Sequence, residues 1–128
     1  MNLYNFLNPR KIKTLVKEGF KMARRDLIGR EHKRYDGTAV EICRQTIVDR
    51  WNGTFFEGGE TIFCNQFWIR DFSISLEGII ALGFLKQAKT NLGWAMKVYR
   101  DNGHIGTTIL GGDSVFEFWV FSADSLHW

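Results

Sequence analysis

In Gln66-Phe67-Trp68-Ile69-Arg70-Asp71-Phe72 an Arg-Asp pair stands beside Trp and Phe, where a loop gives way to helical periodicity. Sugars are the ligand class with matching needs. Their C–H faces stack on aromatic rings, and their hydroxyls seek charged or bidentate hydrogen-bond partners. The architectural alternative is that Asp71 caps the following helix while Arg70 pairs with a nearby carboxylate.

Other chemistries lack their residues. The chain contains no P-loop, HExxH or GxSxG pattern. Gly103, Gly106, Gly111 and Gly112 do not follow a strand and open a helix as a dinucleotide fingerprint would. His32, His104 and His127 are scattered, so neither a metal site nor a cofactor is expected. Cys43 and Cys64 have no CxxC neighbour and are expected to be buried free thiols.

The elements that must position Trp68, Arg70 and Asp71 are mostly helical. Asn8 and Pro9 open a first helix, carried to Ile28 by the apolar stripe Ile12, Leu15, Val16, Phe20, Ala23 and Leu27 and ended by Gly29. Thr38-Ala39-Val40-Glu41 has the form of a capping box, opening a second helix to about Asp49 with Val40, Cys43, Ile47 and Trp51 on one face. A short β-hairpin or extended segment is expected around 54–69, turning at Gly58-Gly59. A third helix is expected just after Arg70-Asp71, with Asp71 as N-cap, Phe72, Leu76, Ile79, Ile80 and Phe84 as stripe and Gly83 as stop. The fourth, Leu85 to Arg100, carries Leu85, Ala88, Leu92, Ala95, Met96 and Tyr99, leaves Trp94 off the stripe, and closes an αα-hairpin with the third. Beyond a glycine-rich loop, Val115–Phe121 reads as a strand or buried extended run, and Ser122–Leu126 as a helix start.

Length and composition frame these elements. The 128 residues suit one domain, and 15% aromatics must fill a core, a ligand floor or a partner interface. No apolar run is long enough to span a bilayer and no signal-peptide pattern opens the chain, so a cytoplasmic protein without a membrane partner is expected. Residues 1–50 hold 12 Lys and Arg against 6 Asp and Glu, whereas residues 51–128 hold 5 against 8. Acidic residues interrupt the basic half, which reads as a solvated helix face rather than a nucleic-acid patch.

Several of these motifs recur in order: Phe67-Trp68-Ile69-Arg70-Asp71, an apolar helix, Leu82-Gly83-Phe84, an amphipathic helix, Asn102-Gly103-His104-Ile105, then Ala123-Asp124-Ser125-Leu126. Over residues 50–128 the series resembles the N-terminal part of the six-hairpin glycosidases, the (α/α)6 toroid enzymes of glucoamylase and trehalase type. The resemblance implies a mainly α fold, αα-hairpins forming part of an (α/α) toroid. It implies that Arg70 and Asp71 line a sugar subsite walled by Trp68, that the Gly103–Thr108 loop borders the cleft, and that Asp124 sits near its rim. Thr107-Thr108 after Gly106, and His127 after Leu126, stand where such enzymes often carry proline.

A full toroid needs about three times this many helices, so the chain is expected to be one section of a larger ring. No carboxylate lies in a motif that the resemblance marks as acid or base. The expectation is therefore a carbohydrate-binding, glycoside-hydrolase-like protein that does not catalyse alone and self-associates through unpaired helix faces. The rivals are a non-catalytic interaction module and a nucleic-acid binder.

Overall fold

A computed structural model describes residues 8–28, 33–59 and 63–117. In chain order these form α1 (Pro9–Ile28), α2 (Ala39–Arg50), β1 (Gln66–Trp68), α3 (Ile69–Ala81), α4 (Leu85–Asn102), β2 (Thr108–Leu110) and β3 (Ser114–Phe116). The fold is mainly α with one small antiparallel sheet, ordered β1-β2-β3.

Local chemistry sets most helix ends. Thr38 accepts from the Glu41 N–H at 3.3 Å, and its own N–H donates to Glu41 Oε2 at 2.7 Å, so the capping box forms as expected. At the α3–α4 corner Gly83 takes φ 94°, the Gly83 N–H donates to the Ile80 carbonyl and the Phe84 N–H to that of Ile79. That pair of bonds is the Schellman arrangement, which needs a left-handed residue at the position Gly83 fills.

The sheet organises the core. Phe67 faces Ile109 across β1 and β2, and Ile109 faces Val115 across β2 and β3. All three side chains are fully buried. Of the two forms expected around 54–69, the described residues take the extended one at the sheet edge, where the Gly58 N–H donates to the Gln66 carbonyl at 2.9 Å. A hairpin forms between β2 and β3, within the region read as a glycine-rich loop. Of the expected Val115–Phe121 run, Val115 and Phe116 belong to β3. Residues 118–128, including the expected helix start, lie outside the described residues.

The buried face of α4 is rotated from the expected stripe, of which Ala88, Ala95 and Tyr99 stay inside, and α1 does not bury its expected stripe. α4 buries Ala88, Asn91, Ala95, Val98 and Tyr99, while Leu85, Leu92 and Met96 are exposed. The aromatic cluster on the sheet sets this rotation. Trp94 stacks on Phe55 at 4.4 Å and meets Phe67 edge-on at 5.6 Å, so the residue placed off the stripe packs against the core. α1 points its stripe outward: Val16 is 66%, Phe20 71% and Leu27 88% exposed, while Glu18 is 5% exposed. It is held by the opposite face, where Lys11 Nζ donates to the Val115 carbonyl at 2.9 Å and Arg10 pairs with Asp113. A side chain added at Gly111 would meet Thr14 at 3.2 Å.

α2 buries no side chain fully, and Val40, expected on its inner face, is exposed. Cys43 on α2 is consequently exposed, and Cys64 is half-buried; neither forms a disulfide, as expected, but neither is a fully buried thiol.

Candidate functional site

A groove of about 650 Å³ runs between α2 and α3. Its floor includes Phe56 and Phe72, and its walls carry Tyr35, Arg50, Glu57, Trp68 and Asp71. Trp68 and Asp71 were singled out from sequence, and the fold places both here.

Trp68 is the last residue of β1 and the N-cap of α3, without a side-chain cap bond. The helix therefore starts before Arg70-Asp71 rather than after it. The Ile69 N–H donates to the Thr107 carbonyl at 3.2 Å, and Thr108 Oγ1 donates to the Phe67 carbonyl at 2.7 Å, so the start of β2 and the residue before it supply the anchoring a cap would have given. Asp71 is left in the first turn of α3 with no hydrogen-bond or ion-pair partner among the described residues. Its carboxylate does not cap the helix, which removes half of the architectural alternative. Amides of the first turn favour a negative charge there.

The Trp68 indole is fixed in place. Its Nε1 donates to Gln66 Oε1 at 3.0 Å, and the ring meets Phe63 edge-on at 5.5 Å. Gly58 lies flat against it: a Cβ there would come 2.7 Å from Trp68 Cδ1. The extended segment thus needs glycine to run past the indole.

Arg50, Glu57 and Tyr35 were missed in the sequence. Arg50 follows Cys43 and Thr46 at helical spacing on the groove side of α2. That spacing was legible once the inner face of α2 was traced. Glu57 follows Phe56 on the extended segment, where its N–H donates to the Arg50 carbonyl at 2.9 Å. Tyr35 is placed by Asp49, which accepts from the Tyr35 hydroxyl at 2.8 Å and pairs with Lys33.

The Lys33 and Tyr35 hydrogen bonds hold the Asp49 carboxyl below its ordinary value of 3.8. A carboxylate with a lower pKa folded than unfolded stabilises above the unfolded value and loses that contribution as pH falls through the folded value. The attachment of residues 33–36 to α2 is therefore expected to be complete above about pH 4 and to release in stronger acid. Tyr35 ring resonances followed by NMR should move together with the Asp49 carboxyl signal; a Tyr35 signal that stays fixed while Asp49 titrates would contradict this.

The other expected site residues are not brought together. Arg70 is exposed on α3 and does not line the groove. Gly103 is the left-handed C-cap of α4, φ 75°, and is likewise absent from the groove lining. Asp124 lies outside the described residues. Beside Gly103 the Asn102 side chain donates to the Val98 and Asp113 carbonyls, both at 2.9 Å, and so ties the end of α4 to the turn before β3.

Among the described residues no group of three or more His, Cys, Asp or Glu side chains is placed to hold a metal ion. No helix there is long and apolar enough to cross a membrane. Comparison of the chain with protein-family models, curated proteins and solved structures found no match.

Proposed function

We propose that the groove between α2 and α3 binds carbohydrate, with Trp68 as the stacking wall and Asp71 as a hydroxyl acceptor. The observation that carries this is the Asp71 carboxylate, without a partner among the described residues, on the same groove as the braced Trp68 indole. Arg50 and Glu57 add a cationic donor and a second carboxylate to an otherwise apolar surface. An aromatic floor with a few convergent polar groups is the usual composition of a small-molecule site. It also suits a ring with apolar faces and hydroxyl edges. No acid–base pair is assigned, so the reading is of a binding groove within a glycoside-hydrolase-like chain.

Titration with mono- and disaccharides, read by tryptophan fluorescence, tests it. A saturable shift is expected that Asp71→Ala abolishes without changing the far-UV circular dichroism. Asp71 is exposed, so its removal leaves the core intact. Gly58→Ala is expected to weaken binding by displacing the indole. No shift with any sugar, or a shift that Asp71→Ala leaves unchanged, would remove the reading.

A further inference from the structure

We infer that α1 docks in the plane of an anionic lipid bilayer through its outward apolar row. Ile12, Val16, Phe20 and Leu27 form that row, and all four are exposed. The body of the protein holds the other side of the helix, through Lys11 to the Val115 carbonyl and Arg10 to Asp113, with Glu18 buried. The row therefore faces away from the core over roughly 22 Å of helix.

Charge identifies the occupant. α1 carries seven Lys and Arg against Glu18 and Asp26. At about 100° per residue, Lys13, Arg24 and Lys17 fall on one side of the row, within about 100° of Val16. These three are exposed and have no ion-pair partner among the described residues. An apolar row bordered by cations, on a helix of low mean hydropathy, is the pattern that lies in the headgroup region, with lysine stems reaching to phosphate.

Two other occupants fit less well. A second copy pairing through the same face would bring two cationic rows together, which costs energy. Nucleic acid would engage the cations and leave the apolar row in water. The expectation of no membrane partner rested on the lack of a spanning run, and an in-plane helix needs none.

Each cation near an anionic surface is worth roughly fivefold in affinity, so three give on the order of a hundredfold. Co-sedimentation of the full chain with phosphatidylcholine vesicles, with and without phosphatidylglycerol, should show about that preference for the anionic ones. Added salt should reduce it. Lys13→Glu with Lys17→Glu should lower binding toward the level on neutral vesicles, and Phe20→Glu should lower it about tenfold or more. Ile74→Glu, at a 73% exposed apolar residue of α3, should leave it unchanged. Because these side chains are exposed, circular dichroism should match the parent in every variant. Absence of binding to anionic vesicles, equal binding to both kinds, or equal loss with Ile74→Glu would overturn the inference. A dimer that Phe20→Glu splits, without vesicle binding, would assign the face to a second copy and overturn it too.

Discussion

Phe67→Ala is expected to destabilise the protein by about 3–5 kcal/mol, the range for removing a buried aromatic ring from a core. Phe67 is fully buried on β1 and sits among three other rings: Phe72 at 5.5 Å, Trp94 at 5.6 Å and Phe55 at 6.3 Å. These three rings belong to three separate segments, so the cavity would be lined from several sides and could not close by moving one element. A small domain has a total stability of about 5–15 kcal/mol, and this single change removes a large share of it. Urea unfolding should show a midpoint lowered by about 2 M, with loss of the near-ultraviolet signal of Trp94. Phe67→Leu should cost about half as much. Phe20→Ala is the instructive comparison. Phe20 is 71% exposed, so its removal should change stability by no more than about 0.5 kcal/mol. If the two variants cost the same, the core is not where the sheet places it.

Gly106→Ala is the second change with a large expected cost, about 2–3 kcal/mol. A Cβ at Gly106 would lie 2.6 Å from the Phe116 carbonyl oxygen and 2.6 Å from Val115 Cγ1. The first contact is with backbone, and the second is with a fully buried side chain, so neither yields by simple rotation. The Gly106 carbonyl also accepts from the buried Tyr99 hydroxyl at 3.1 Å. Moving the 103–107 loop outward would stretch that bond and the Thr107 Oγ1 donation to the Phe116 carbonyl at 3.3 Å. Burial pushes the Tyr99 hydroxyl pKa up, so the phenol stays protonated and remains a donor through the neutral range. Thermal unfolding should show the loss, and Gly112→Ala gives a contrast. Its Cβ meets nothing within 4 Å, so any cost there comes from its φ of 83°. A Gly106→Ala protein as stable as the parent would mean that the loop does not pass against β3.

The candidate site shows why reading residues in order is incomplete. Arg-Asp beside Trp was legible because the residues are adjacent. Their division was not: Asp71 reaches the groove while Arg70 remains outside its lining. That division follows from the helix starting at Ile69, which places neighbouring residues about 100° apart around α3. The helix starts earlier than its local residues imply because the Thr107 carbonyl, 38 residues along the chain, satisfies the first amide in place of a local cap. Tyr35, Arg50 and Glu57 arrive from the connection, the second helix and the extended segment, and no local pattern joins them to Trp68.

Sequence alone determined the features that depend on a few neighbouring residues. The extent of α1 over Pro9–Ile28, the capping box of Thr38 and Glu41 and the stop at Gly83 all rest on bonds spanning six residues or fewer. The expected face of α3, with Phe72, Leu76 and Ile79, does pack inward, but tertiary structure decided which face α1 and α4 bury. Periodicity marks an apolar stripe but not its partner, and here the partner is a sheet whose aromatic cluster takes Asn91, Trp94, Ala95 and Val98 from α4. The same sheet and its β2–β3 turn bind α1 by polar contacts to Val115 and Asp113. The stripe that sequence would have buried is thereby left as a surface, because a helix held through its polar side must turn its apolar side to whatever lies outside.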